Sequence, residues 1–254
     1  MTSRSTDAGR LDIDPDLRDA AGAATRALLD GGPKLIMWWW VMLAAAFIVA
    51  AIARDIFGTV ESSTWQWAAT APKVMMLFAG GMLSIGYLPQ YISFGISRRA
   101  FSLAAGVVII VLSLAGSAIM AGGFIVEMLA YDALGWRHVI DDPLLFASTG
   151  QWYLIVPELT LLFMAWSASG WIAAAGFYRW VGFGGWDWLA GTLFLIPASM
   201  PLIAAEAIKS WTSQGRVPLL LGLVGILLAV AAGAVAAYHI TKDMSLRHSD
   251  GWAA

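Results

Sequence analysis

The 254-residue chain has a net charge of only −2, with 59% hydrophobic and 13% charged residues. Soluble globular domains usually carry roughly 25% charged residues, so this composition excludes an ordinary soluble globule. The mean hydropathy of +0.73 predicts an integral membrane protein built from apolar helices of about 20 residues. No basic block indicates binding of nucleic acid, and the lack of cysteine excludes disulfides and thiolate sites.

The N-terminal region predicts a tail followed by a helix. Residues 1–13 are rich in Ser, Thr, Asp and Gly, which favours a flexible tail. Asp14 and Pro15 are typical of a helix start, and an Ala-rich stretch follows. We expect an amphipathic helix over 14–30 that lies on the inner leaflet, on a partner protein, or in solvent ahead of the membrane. Its apolar face would consist of Leu17, Ala20, Ala21, Ala24, Ala27 and Leu28.

Charged and aromatic residues divide the rest of the chain into six apolar segments. The sequence therefore predicts an all-α, polytopic membrane protein with a transmembrane domain at 31–241 and a cytoplasmic tail at 242–254. The six predicted spans cover about 35–53, 74–94, 101–126, 151–178, 188–208 and 217–240.

The distribution of basic residues predicts the orientation. With six spans, ten of the 15 Lys and Arg residues lie on the side that holds both termini. The positive-inside rule therefore places both termini in the cytoplasm.

Two carboxylates lie within the apolar segments, at Glu158 and Glu206. A charged group inside a membrane costs several kcal/mol unless it is paired or hydrated, so each is a candidate functional residue. Both fall near the predicted outer surface, where water or Lys209 offers the alternative of a simple interfacial contact. Trp166 and Trp171 lie deeper than the other tryptophans, which resemble interfacial belts. The candidate residues of a translocation pathway are Glu158, Trp166, Trp171 and Glu206.

The sixth span repeats a small residue every four positions, and this pattern lets another helix approach closely. We expect it to pack within the chain, with a dimer seam as the alternative. The small residues are Gly225, Ala229, Gly233 and Ala237.

The chain contains no phosphate-binding loop, no HExxH and no GxSxG motif. No set of histidines and carboxylates has metal-ligand spacing. The sequence therefore predicts neither an enzyme nor a protein with its own cofactor or metal.

One motif carries a family resemblance. The run Ser93-Phe94-Gly95-Ile96-Ser97-Arg98-Arg99-Ala100-Phe101 is similar to the S-x-G-[VI]-[ST]-R-[RK]-x-F run between the second and third spans of type-2 ATP-binding-cassette exporters. The resemblance is to their small bacterial permease subunits, which are encoded beside a separate ATPase.

The resemblance implies a coupling helix that docks into the ATPase, with Ser97, Arg98, Arg99 and Phe101 as contact residues. It also implies a second permease subunit, identical or related, and a location in the bacterial plasma membrane. ATP and magnesium would be bound by the partner ATPase. Simple anchoring of Arg98 and Arg99 at the membrane surface is the alternative.

The function expected from this resemblance is export of an apolar or amphiphilic compound, such as a drug, a peptide antibiotic or a lipid, by alternating access. Two other classes stay open. One is a membrane enzyme that modifies lipid with its outer carboxylates, and the other is a non-catalytic scaffold or sensor.

Overall fold

The computed structural model describes residues 15–31, 33–57, 63–136, 140, 145–146, 148, 150–180 and 193–242. Regular structure in these ranges is entirely helical, as predicted. The helices are α1 (Pro15–Gly31), α2 (Pro33–Phe57), α3 (Trp65–Ala68), α4 (Thr70–Met82), α5 (Leu88–Ser93), α6 (Arg98–Leu134), α7 (Trp152–Trp180), α8 (Leu195–Ser213) and α9 (Leu219–Lys242). Three predicted regions lie outside the described residues. They are the tail at 1–13, the tail beyond residue 242, and the start of the fifth span at 188–192.

Four helical stretches of the described chain are long and apolar enough to cross a membrane. They correspond to the second, third, fourth and sixth predicted spans, and are Trp65–Ser93, Arg98–Leu134, Trp152–Tyr178 and Leu219–Lys242. A shorter apolar helix, Trp40–Ala53, lies in the first predicted span. The prediction of an all-helical structure with several helices able to cross a membrane is confirmed for the described residues, and the total of six spans stays a prediction.

The second predicted span starts earlier than hydropathy indicated, because Glu127 caps it. Glu127 lies one residue beyond the predicted third span, 101–126, but within α6, and its carboxylate accepts the N–H groups of Thr64 at 2.7 Å and Trp65 at 2.8 Å. The hydroxyl of Ser63 donates to the same carboxylate. A carboxylate at a helix N-terminus satisfies otherwise unpaired N–H groups and stabilises the helix dipole.

This helical stretch contains one π-helical turn, Leu83–Tyr87, just before Pro89. Proline has no N–H to donate, and its ring crowds the preceding turn. A wider turn at this position relieves the crowding without ending the helix.

The centre of the fold is α7, which packs against α4, α6, α8 and α9. Its closest approach is to α4, where two glycines remove the side chains that would separate the backbones. A Cβ atom at Gly80 would overlap the carbonyl group of Ser167, and one at Gly170 would overlap that of Leu77. This reciprocal contact fixes the axial register of α4 against α7.

The small residues of α9 pack within the chain, as predicted. Gly233 faces Pro201 of α8 and Ala168 of α7, and Gly225 faces Ile208 of α8. Most large side chains on the remainder of α9, such as Leu220 and Leu228, are exposed.

The N-terminal helix α1 packs on α6. Ala24 and Leu28 from its predicted apolar face are buried in one cluster with Ala104 and Val108 of α6. Ala27, assigned to the same face, is exposed. Part of the apolar face is therefore covered by the chain itself, and its location at a membrane surface stays a prediction.

We expect Gly80→Ala to lower the free energy of unfolding by about 1–3 kcal/mol, because the new methyl group must push α4 away from the Ser167 backbone. The matched control is Gly81→Ala on the same helix, where a Cβ would make an ordinary contact of 3.5 Å with Ala174. Reversible unfolding in mixed micelles measures both. Equal stability of the two variants would contradict the close α4–α7 contact.

Single cysteines placed at Ser97 and Gln214 test the span count. Both positions are exposed in turns, and the native chain has no cysteine to interfere. Six spans predict that a membrane-impermeant maleimide labels the two sites from opposite sides of sealed vesicles. Labelling from the same side would contradict the six-span topology.

Candidate functional site

Three charged side chains meet at the end of the bundle where α4 begins. The Nζ atom of Lys73 lies 2.6 Å from Oε1 of Glu206, and Nζ of Lys209 lies 2.9 Å from Oε2 of the same carboxylate. The lysine side chains are 13% and 10% exposed, and that of Glu206 is 27% exposed. The ion pairs thus join α4 to α8 in a largely buried position.

Trp166 of α7 completes the coordination of this carboxylate. Its indole N–H donates to Oε1 of Glu206 at 3.3 Å. Glu206 therefore accepts hydrogen bonds from α4, α7 and α8 together, and it ties three helices at one point. The structure brings Trp166 and Glu206, both predicted pathway residues, into direct contact.

Glu158, the other predicted carboxylate, lies beside this group. Its side chain has no exposed surface, and Oε2 accepts the backbone N–H of Leu145 at 3.0 Å. Lys209, Lys73 and Glu206 are all close enough to act on it electrostatically. We call Lys73, Glu158, Glu206 and Lys209 the charge cluster.

Sequence reasoning anticipated Lys209 as a partner of Glu206 but missed Lys73. Lys73 lies one residue before the predicted second span, 74–94, and nothing in its local sequence indicates a partner far along the chain. The partner could have been sought on one general ground: a cation inside an apolar bundle needs a carboxylate partner, just as a carboxylate needs a cation.

The turn between α5 and α6 is rigid and lies at the opposite end of the bundle. Gly95, with φ of 85°, closes α5 in a Schellman motif: its N–H donates to the carbonyl of Ile92, and that of Ile96 donates to the carbonyl of Tyr91. Ser97 then caps α6 by accepting the N–H of Ala100. A positive φ costs glycine little, so this position suits glycine best.

The predicted contact residues of this turn divide into two groups. Ser97 and Arg99 are exposed, and Arg98 donates to the carbonyl of Lys242 at 3.0 Å, which links the turn to the end of α9. Phe101 has no exposed surface, so it offers none to a docking partner. The aromatic side chain that is exposed at the turn is Phe94, which is 82% accessible and was not predicted as a contact.

Phe101 connects the turn to the bundle. Its ring lies 5.4 Å from that of Tyr91 and 6.3 Å from that of Trp171 in α7, measured between centroids. The Trp171 indole N–H donates to Thr241 of α9 at 3.0 Å. Trp171 therefore lies far from Glu158 and Glu206, the two carboxylates that were predicted to share a pathway with it.

Trp171 also lines an apolar cavity of about 350 Å³ between α6, α7 and α9. Three small residues in its lining, Gly106, Ala168 and Ala234, leave space that larger side chains would fill. An apolar solute in this cavity would touch Trp171, and binding of such a solute stays a prediction. Among the described residues, no group of three or more His, Cys, Asp or Glu side chains is arranged to hold a metal ion.

No protein-family model, curated protein or solved structure matches this chain. The similarity of Ser93–Phe101 to the permease motif therefore remains a resemblance.

We expect Glu206→Gln to lower the free energy of unfolding by about 3 kcal/mol, because it removes the carboxylate that pairs with two largely buried lysines. Lys73→Met should cost less, since Lys209 still pairs with Glu206. Asp132→Asn, which neutralises an exposed carboxylate of α6, is the control and should change stability by no more than about 0.5 kcal/mol. Chemical unfolding in micelles measures the loss of stability of each variant. A larger loss for Lys73→Met than for Glu206→Gln would contradict the prediction.

Proposed function

We propose that this chain is the permease subunit of an ATP-binding-cassette exporter that moves an apolar or amphiphilic compound across the bacterial plasma membrane. Two permease subunits would form the pathway, and two separate ATPase subunits would bind ATP and magnesium. Both termini would lie in the cytoplasm, on the side of the Ser97 turn.

The observation that carries the proposal is the construction of that turn. It is closed by backbone hydrogen bonds on one side and capped by Ser97 on the other, so it moves as one unit with α5 and α6. Its exposed surface carries Phe94, Ser97 and Arg99. An apolar ring beside a guanidinium suits a partner groove with an apolar floor and an acidic rim.

The second step is the connection from the turn to the interior. Phe101 lies two positions after the exposed Arg99 and packs against Trp171, which lines the apolar cavity. A displacement of the turn by a closing ATPase would therefore reach the cavity wall through two touching rings. Packed side chains of this kind transmit rigid-body movements between sites.

The role of Phe101 in this proposal differs from that of the exposed residues. It is a positioning residue behind the contact surface, whereas Ser97, Arg98 and Arg99 are proposed to face the ATPase. Arg98 would keep its bond to the Lys242 carbonyl and hold the end of α9 beside the docking surface.

The test is co-purification with the ATPase encoded by a neighbouring reading frame. Arg99→Glu should weaken the complex by about tenfold, because a charge-assisted hydrogen bond becomes a repulsion. The double variant Arg98→Glu/Arg99→Glu should weaken it further, and the matched control Arg216→Glu, in an exposed turn after α8, should leave it unchanged.

Retention of the complex and its ATPase activity by the double variant would overturn the docking assignment. Turnover of lipid by the purified chain without ATP, lost in Glu158→Gln, would favour the alternative of a lipid-modifying enzyme.

A further inference from the structure

Glu158 occupies a site that its own hydrogen bonds do not complete. It lies in α7 among Ile155, Leu159 and Leu162, each at most 1% exposed. Oε2 accepts the Leu145 N–H, but Oε1 is buried and has no hydrogen-bond partner among the described residues. A buried carboxyl oxygen without a donor is costly, so its presence indicates a missing ligand.

The charges that act on this carboxyl come from two neighbouring helices. The charged groups that act on it are Lys73 on α4 and Glu206 and Lys209 on α8, the three residues joined by ion pairs. No charged group in the described parts of α6 or α9 acts on it, and its own helix α7 adds none. The ligand must therefore suit a site of two ammonium groups and one other carboxylate.

The absence of exposed surface restricts the size of that ligand. An ion or a headgroup has no open route to Oε1, whereas a proton needs only a transient water contact. Burial also favours a proton, because protonation removes a charge from a site without exposed surface. Two lysines and Glu206 sum to one positive charge, so the group of four is neutral when Glu158 is ionised and carries one positive charge when it is protonated.

We propose that Glu158 is a proton-binding site that takes its proton from bulk water. Each lysine has three N–H donors, and one of those of Lys209 is used by Glu206. When Glu158 is protonated, Lys209 stays with Glu206. When Glu158 is ionised, it attracts a second donor of Lys209, which adds an ion pair between α7 and α8. This site does not depend on docking of an ATPase.

The experiment uses the full chain in lipid vesicles, labelled with ¹³C at the glutamate side-chain carboxyl. Only Glu61, Glu127, Glu158 and Glu206 then report. Solid-state NMR spectra recorded across a pH series should contain one buried carboxyl resonance that moves between its protonated and ionised positions. That resonance should be missing from Glu158→Gln and unchanged in Glu61→Gln.

Two cation variants identify the resonance even if Glu158→Gln fails to fold. Lys209→Gln should shift its pH midpoint by at least about one pH unit, because a nearby opposite charge is removed. Arg216→Gln removes an exposed cation outside the charge cluster and should leave the midpoint in place. A Glu158 resonance that keeps one position throughout the pH series, or a midpoint equally sensitive to both substitutions, would overturn the proposal.

Discussion

The close contact between α4 and α7 is the constraint on which the rest of the bundle depends. Gly80 and Gly170 let the two backbones touch at reciprocal points, so neither helix can slide without a clash. With this register fixed, Lys73 near the start of α4 reaches Glu206 of α8, and Trp166 of α7 reaches the same carboxylate. The charge cluster is thus a consequence of backbone packing elsewhere in the bundle.

Buried ion pairs are weak evidence for stability, because desolvation of the charges offsets much of their attraction. The charge cluster is better understood as a determinant of helix position. Glu206 accepts hydrogen bonds from three helices, which must therefore stay at fixed positions relative to it. An apolar side chain of equal volume would not require those positions. Glu158 differs from Glu206 because one of its oxygens has no donor in the described chain, although it is the more deeply buried group. The two carboxylates therefore have different surroundings, although each lies within an apolar segment.

Hydropathy alone was sufficient to predict an all-helical membrane protein, since apolar length is a local property of the sequence. Capping residues were sufficient to predict the helix that starts at Pro15, and the spacing of small residues was sufficient for the packing face of α9. Hydropathy ended the third predicted span at residue 126, because a carboxylate that caps a distant helix has the same local sequence as one in a loop. The family resemblance gave Phe101 as a contact residue, and a nine-residue motif does not specify that this ring points inward. The pairing of Lys73 with Glu206 depends on helix packing that no single segment encodes.

The position of α7 relates the two ends of the molecule. Trp171 and Glu158 are 13 positions apart in one helix, a separation of about 20 Å. Trp171 touches Phe101 behind the Ser97 turn, and Glu158 lies beside the ion pairs of Glu206. Movement of the turn in the proposed permease would reach α7 through the contact between Phe101 and Trp171. In the proposed permease, docking at one membrane surface and proton binding near the other would therefore act on the same helix.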